Sequence, residues 1–163
     1  MTVLLHRIGN EKHSSNFNTR EEILAVPREE TLTFDGVYKS VFDNRDILTD
    51  RKVILFIIGD AIGGSSTLYP QPGPDEPFCT WEEIGEFGDA ELGWHSKTHR
   101  DLTLIPEEEL EDEIKPPFPM QHFAYPYGKF NEKVLEVVKK YYKYAWSVTT
   151  GDDSDYQRLR RYI

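Results

Sequence analysis

The sequence of 163 residues predicts an α/β fold with a mainly parallel sheet, open or rolled into a partial barrel. Short apolar runs alternate with amphipathic segments along the chain, as in strand-helix-strand units. The run at residues 53–58 is so uniformly apolar that we expect a central parallel strand covered on both faces. The length fits a single domain over residues 1–163, with a core that needs no disulfide.

Each element has a local signal. We expect strands where β-branched and apolar residues precede a polar break, at residues 3–6, 31–34, 53–58, 92–94, 122–124 and 144–148. Helical spacing predicts helices at residues 38–48, 106–114 and 131–142, and Thr80 with Glu83 forms a capping box that begins a further short helix. Polar residues 10–19 and proline-rich residues 69–78 are expected to be irregular connections.

The formal net charge of −10 argues against nucleic acid or an anionic membrane surface as a partner. A neutral or cationic ligand, or a sugar, is easier for such a protein to bind. Many of the acidic residues lie at residues 107–113 and at Asp152, Asp153 and Asp155, which we interpret as solvated faces.

Cys79 is the only cysteine, so no intrachain disulfide can form. The apolar stretch at the start of the sequence is shorter than a secretory signal needs, and no apolar run is long enough to span a bilayer. We therefore expect a cytoplasmic protein without a membrane span.

His95 and His99 are four residues apart and directly follow a predicted buried strand end. If the chain is helical from His95, the two imidazoles share one face, with about 5–6 Å between their Cβ atoms, and can reach one metal ion. A catalytic zinc site needs a further protein ligand, for which a carboxylate is the best candidate. The spacing alone is a weak signal, because two histidines at this interval more often form a solvated or packed helix face.

Other polar residues also follow predicted strands, namely His6, Asp35 and the Tyr125–Tyr127 turn. In parallel α/β folds such positions gather at one edge of the sheet. Residues 59–66 are glycine-rich but lack the Gly-Lys-Ser/Thr ending of a phosphate-binding loop, so we interpret them as a mobile loop at the mouth of the site.

These segments resemble the polysaccharide deacetylases of the NodB-homology type, carbohydrate esterase family 4. Residues 33–43 (T-F-D-G-V-Y-K-S-V-F-D) resemble the T-F-D-D-G-Y motif and its following helix, residues 95–102 (H-S-K-T-H-R-D-L) match the H-S/T-x-x-H metal motif, and residues 123–128 have the F-A-Y-P-Y-G form of a third motif. The resemblance implies a NodB-type distorted or incomplete (β/α) barrel of mainly parallel strands. It also implies a divalent metal, with zinc as first candidate, and removal of an N-acetyl group from an amino sugar in a polysaccharide or glycan precursor.

The resemblance also assigns roles. His95 and His99 would bind the metal, and Asp35 would be the general base. Family members with a permuted sequence carry the catalytic histidine in an N-terminal V-L-x-Y-H-R motif, which residues 3–7 resemble with Leu5 where tyrosine is usual, so His6 is the candidate general acid. The alternative is that His6 merely caps an edge strand.

Two positions depart from the family pattern. In an ungapped match, Gly36 stands where the family has its metal-ligating aspartate. Either Asp35 also ligates the metal, or water or another acid such as Asp60 completes the shell, or metal binding is lost. Ala124 stands where many members have the arginine that orients the base, and Arg160 or Arg161 is the candidate replacement.

Three aromatic residues are candidates for substrate binding. The backbone N–H of Tyr127 could stabilise an oxyanion, and the rings of Trp94 and Tyr38 could stack on a sugar, although Trp94 could simply belong to the core. Two other functions stay open, a degenerate glycan-binding or scaffolding relative and an unrelated zinc hydrolase of esters or formamides. The sequence leaves the sugar and the choice among Zn, Co, Ni and Fe open, and also whether a homo-oligomer completes the barrel.

Overall fold

A computed structural model describes residues 1–9, 17–65, 74–148, 154–155 and 158–160. Nine strands are present in this part of the chain: β1 (Thr2–Leu5), β2 (Arg7–Gly9), β3 (Phe17–Thr19), β4 (Thr31–Asp35), β5 (Val53–Ile57), β6 (Glu91–Trp94), β7 (His122–Ala124), β8 (Tyr144–Ser147) and β9 (Arg158–Leu159). The α-helices are α1 (Arg20–Ala25), α2 (Lys39–Asp43), α3 (Trp81–Gly85), α4 (Glu107–Ile114) and α5 (Glu132–Tyr141). Short 3-10 helices cover Arg45–Leu48, Gly59–Ala61 and Pro126–Gly128.

Seven strands form one sheet in the order β1-β4-β5-β6-β7-β8-β9, and every pairing in it is parallel. The sheet curls strongly. This is shown by Arg160, directly after β9, which contacts Thr33 and Asp35 on β4 near the opposite edge. The predicted α/β fold, a distorted or incomplete barrel of mainly parallel strands, is therefore confirmed, and the structure shows that the barrel is nearly closed. Strands β2 and β3 form a separate parallel pair.

Alternation along the strands separates two apolar regions. On β5, Leu55 and Ile57 belong to the main core between the sheet and the helices. Ile54 and Phe56, on the other face of the same strand, pack with Trp146 in a smaller cluster inside the barrel. The same alternation on β4 directs Asp35 into the barrel interior, where the guanidinium of Arg160 lies near the Phe56 ring.

Local capping signals fix several helix starts. The predicted box at Thr80 and Glu83 is present at α3, and a second box that the sequence analysis overlooked, formed by Thr19 and Glu22, begins α1. Asn131 accepts the backbone N–H of Val134 at the start of α5.

Three expectations need correction. The predicted connection at residues 10–19 contains strand β3, while residues 10–16 lie outside the described residues. The helix predicted at residues 38–48 is two short helices that meet at Asn44. The glycine-rich segment begins with a 3-10 helix, Gly59–Ala61, and its last residue is outside the described part. Asp152 and Asp153 are also outside it, whereas Asp155 is exposed.

Within the described residues, no helix combines the length and apolar composition needed to cross a bilayer.

Candidate active site

The polar residues that follow the strands meet at the carboxyl edge of the sheet. Leu5 pairs with Phe34 across β1 and β4, so His6 and Asp35 are the next residues on neighbouring strands. Trp94 pairs with Ile57, and the backbone N–H of His95 donates to the Ile57 carbonyl. The parallel sheet thus brings together side chains that are far apart in sequence.

The two histidines of the H-S-K-T-H segment lie on a loop, so the helical geometry expected from their spacing is wrong. Ser96 and His99 have left-handed backbones, with φ of 64° and 58°. The Ser96 hydroxyl accepts the His99 backbone N–H at 2.9 Å, which closes the turn. The turn still directs both rings to one point, and their Nε2 atoms are 3.1 Å apart.

The orientation of His95 is fixed by a backbone partner. Its Nδ1 lies 2.8 Å from the carbonyl oxygen of Ala124, which can only accept, so Nδ1 carries the proton and donates it. Nε2 is then unprotonated, and it lies 3.1 Å from His99 Nε2 and 3.5 Å from Asp35 Oδ2. A histidine whose Nδ1–H is bound by a carbonyl is the usual arrangement of a metal ligand.

Burial keeps both imidazoles neutral. It lowers the pKa of His95, and it lowers the pKa of His99 to about 3, with the neighbouring His95 as a second cause. Neutral imidazole is the form that binds metal ions, so at neutral pH the pair is ready to accept one.

Asp35 is buried and paired with Arg160. The carboxylate accepts two N–H groups of the guanidinium, with Nη2 to Oδ2 at 2.9 Å. Burial alone would raise the pKa of Asp35, but the charge and hydrogen bonds of Arg160 outweigh it and hold the pKa far below its usual range. Arg160 is thus the arginine that orients this carboxylate, and Arg161 lies outside the described residues.

The donor atoms fit a metal ion only in part. Ligand atoms about 2.0–2.1 Å from a tetrahedral zinc are about 3.3 Å from one another. The two Nε2 atoms are 3.1 Å apart, and Asp35 Oδ2 is 3.5 Å from His95 Nε2. Across the described ranges no group of three or more His, Cys, Asp or Glu side chains forms a complete metal cluster. Asp60 is exposed, and we leave it out of the donor set.

Gly36 is a strained and tightly packed position for any side chain. Its φ is +67°, and a Cβ atom there would lie 3.1 Å from side-chain atoms of Ile58 and Phe78. A left-handed position next to tight packing suits the glycine of the T-F-D-D-G-Y motif rather than its second aspartate. Gly36 is therefore better matched to the glycine of the motif, and the second aspartate of the motif then has no counterpart in this chain.

The charges of Asp35, His95 and Arg160 also act on His6. Burial lowers its pKa to about 4, while the Asp35 charge acts in the opposite direction and His95 and Arg160 add to the lowering. The ring is consequently neutral at neutral pH. A general acid at this position must first take up a proton.

The three substrate-binding candidates are placed differently. Tyr127 is 55% exposed, and its ring centroid lies 4.9 Å from that of His99, so it borders the opening of the site. Trp94 is buried, and its indole N–H donates to the Glu113 carbonyl. Tyr38 is buried with its ring stacked on Phe78. Trp94 and Tyr38 are therefore core residues, and neither ring is available to stack on a sugar.

Sequence reasoning missed Glu113, which it placed on a solvated face. Glu113 is 2% exposed, and its carboxylate accepts the backbone N–H and the hydroxyl of Thr98, next to His99. A signal was present, because Glu113 lies three residues after Leu110 and directly before Ile114, on the apolar side of the helix.

No family model matches the sequence. Solved structures do match the fold. A polysaccharide deacetylase from Bacillus cereus, BC0361, superimposes with a TM-score of 0.76 at 19% identity over 99% of this chain, which spans 64% of that protein. IcaB from Ammonifex degensii matches with a TM-score of 0.76 at 17% identity, over 99% of this chain and 91% of that one.

The Streptococcus pyogenes deacetylase PplD, solved in complex with acetate, matches with a TM-score of 0.76 at 14% identity, over 99% of this chain and 91% of that one. At these identities the likeness concerns the fold. Together with the confirmed barrel of parallel strands, it shows that this chain has the polysaccharide deacetylase, or NodB-like, fold.

Proposed function

We propose that the protein is a metal-dependent hydrolase that removes the N-acetyl group from an amino sugar in a polysaccharide or glycan precursor. The observation that carries the proposal is the pair of neutral imidazoles with Nε2 atoms 3.1 Å apart, beside a carboxylate held ionised by Arg160. The deacetylases with the same fold support the chemistry.

His95 and His99 would hold the ion, with Asp35 as the third protein donor. A divalent ion there supplies Lewis-acid polarisation of the acetamide carbonyl and lowers the pKa of the attacking water. Zinc is our first candidate, because two imidazoles and a carboxylate are donors that it accepts.

Asp35 has two candidate roles, ligand and general base. Its orientation is set by Arg160, which binds both oxygens and leaves Oδ2 3.5 Å from His95 Nε2. A carboxylate with such a low pKa remains anionic throughout the physiological range, which suits a ligand, whereas its weak basicity makes it a poorer base. Asp35 would accept the proton of the attacking water only if it acts as the general base.

His6 would deliver a proton to the departing amine. Since its ring is neutral at neutral pH, His6 would first take up a proton. If Asp35 is a ligand, that proton would come directly from the attacking water; if Asp35 is the base, it would be the proton that Asp35 accepted from the water. In either case the same proton would go to the amine nitrogen as the C–N bond breaks. Tyr127 would contribute its backbone N–H to the developing oxyanion from the left-handed turn at the edge of the site, where its φ is 58°.

The test uses purified protein loaded with one equivalent of Zn²⁺. We expect acetate release from an N-acetylated substrate in a panel of hexosamine oligomers and of nucleotide- and lipid-linked sugars, and we expect none from His99→Ala. Asp35→Asn separates the two roles: loss of metal identifies a ligand, while retained metal without turnover identifies a base. If the metal-loaded parent releases no acetate from any member of the panel, the proposal fails.

A second candidate is a glycan-binding or scaffolding protein that has lost the chemistry, and the lack of a second aspartate between Asp35 and Gly36 favours it. Restoration tests it. Gly36→Asp is a poor choice because it strains a left-handed, tightly packed position, so the variant to make is an insertion of one aspartate after Asp35. Turnover by the insertion variant and none by the parent, in the presence of glycan binding by both, would establish this candidate. Ester and formamide substrates in the same panel cover an unrelated zinc hydrolase.

A further inference from the structure

The last turn of α4 carries a buried acidic residue close to the two histidines. Glu113 is 2% exposed there, and its carboxylate faces the histidine loop rather than solvent. A buried carboxylate is costly unless its oxygens are well bonded. The Glu113 carboxylate bonds Thr98 and Arg100, on the segment that carries His99.

Both carboxylate oxygens are used. Oε2 accepts the backbone N–H of Thr98 at 3.0 Å, and Oε1 accepts the Thr98 hydroxyl at 2.5 Å. Oε1 also accepts two N–H groups of Arg100, Nε at 3.1 Å and Nη2 at 3.0 Å. The side chain therefore binds the residues immediately before and after His99.

The backbone of Glu113 holds the start of the same loop. Its carbonyl oxygen accepts the N–H of Lys97 at 2.9 Å and the indole N–H of Trp94 at 3.1 Å. One residue thus anchors the chain on both sides of His95 and His99.

These contacts stabilise an unfavourable backbone conformation, because His99 has a φ of 58°. A left-handed conformation costs about 1–2 kcal/mol for a residue other than glycine, and it persists only where neighbouring contacts over-determine it. The Ser96 hydroxyl supplies one such contact, and Glu113 supplies those on Thr98 and Arg100.

We propose that Glu113 is a positioning residue that holds His99 in the left-handed conformation needed to direct its Nε2 at the same point as that of His95. The part of this inference that concerns metal affinity rests on the proposed function. The part that concerns the loop itself does not.

The variants are Glu113→Gln and Thr98→Val, with Glu109→Gln as the matched control. An amide at 113 presents one acceptor oxygen and an NH₂ group to a set of donors, so it cannot satisfy them all. Valine at 98 has the shape of threonine and removes only the hydroxyl. Glu109 lies on the same helix and also bonds Arg100, but its side chain is about half exposed, whereas that of Glu113 is buried.

The first measurement is the dissociation constant for Zn²⁺ by competition with a chromophoric chelator. Supporting groups behind metal ligands typically change metal affinity by about 10–100-fold. We expect a weakening of at least about tenfold for Glu113→Gln, a smaller one for Thr98→Val and less than twofold for Glu109→Gln. We also expect saturating Zn²⁺ to restore most of kcat with KM unchanged.

The second measurement is amide hydrogen exchange at Thr98 and His99 in metal-free protein. Exchange at both should be faster in the two test variants and unchanged in the control. If the parent binds no Zn²⁺, the proposed function fails while faster exchange still supports positioning by Glu113. The inference is overturned if Thr98→Val binds Zn²⁺ within twofold of the parent and its amide exchange is unchanged. This criterion holds even if Glu113→Gln does not fold.

Discussion

Replacing Arg160 with Met tests the central ion pair of the site. The side chains of Arg160 and Asp35 are 0% and 6% exposed, so the variant leaves a buried carboxylate without its guanidinium. Removing one partner of such a pair typically costs about 3–5 kcal/mol. His6 and His95 both respond to the Asp35 charge and can take up a proton in compensation, so we expect the lower end, about 3 kcal/mol.

For a domain of this size, a loss of that magnitude lowers Tm by about 6–12 °C. The effect must depend on pH in a defined direction. In the parent the pKa of Asp35 is depressed below its ordinary value of 3.8, so the pair's contribution is complete above that pH and is lost as pH falls below it. In the variant burial raises the pKa of Asp35, and the penalty for ionisation is relieved as pH falls.

The difference in free energy of unfolding between parent and Arg160→Met should therefore be largest at pH 7 and smaller at pH 4.5. Urea denaturation at both pH values measures it, and the double variant with Asp35→Asn serves as control because it removes both charges. A Tm within 2 °C of the parent at pH 7, or a difference that grows on acidification, would refute the reasoning.

Three further predictions concern single positions. His99→Gln should abolish Zn²⁺ binding in titration calorimetry. Because burial lowers the pKa of His99 from 6.5 to about 3, the metal-free parent should lose stability as pH falls below 6.5, and the variant should lose less. An unchanged dependence of stability on pH would contradict this. Gly36→Ala and Gly88→Ala both place a side chain at a left-handed residue, which costs about 1–2 kcal/mol of stability. Of the two, only Gly36 is closely packed, so Gly36→Ala should be at least about 1 kcal/mol less stable than Gly88→Ala in urea denaturation. Equal losses would show that the packing around Gly36 is loose. Tyr127→Gly should relieve backbone strain and raise the free energy of unfolding by about 0.5–1 kcal/mol. It keeps the backbone N–H proposed for the oxyanion but removes the ring that packs near His99 and holds that N–H in place, so kcat should fall. Asp50→Gly, also at a positive φ, should gain stability without loss of turnover, and a gain in kcat for Tyr127→Gly would contradict the proposed role.

The barrel could be predicted because its signals are local. The apolar run at residues 53–58 is buried on both faces of β5, as uniform hydrophobicity predicts for a central parallel strand. Polar residues directly after strands identified His6, Asp35 and His95, since the ends of parallel strands must meet at one edge. Neither inference required knowledge of contacts distant in sequence.

The remaining features depend on such contacts. Arg160 approaches Asp35 only because the sheet curls until β9 faces β4, and no periodicity in the sequence states how far a sheet curls. The left-handed backbone of His99 likewise leaves no trace in the hydrophobic pattern, so the sequence offered only the helical spacing of the two histidines as a possible geometry. Glu113 was assigned to solvent because its acidic neighbours dominate the composition of α4, although its position relative to Leu110 indicated burial.

The absence of one aspartate changes the charge of the cavity. With Asp35 anionic, Arg160 cationic and the imidazoles neutral, the described groups sum to zero, so a divalent ion would leave a net charge near +2 in a buried place. An additional carboxylate would reduce that charge and bind the ion more tightly, but it would also weaken the ion's pull on a carbonyl oxygen. The insertion of an aspartate after Asp35 should therefore raise Zn²⁺ affinity whichever way it changes turnover. Unaltered affinity would mean that the inserted carboxylate does not reach the imidazole pair.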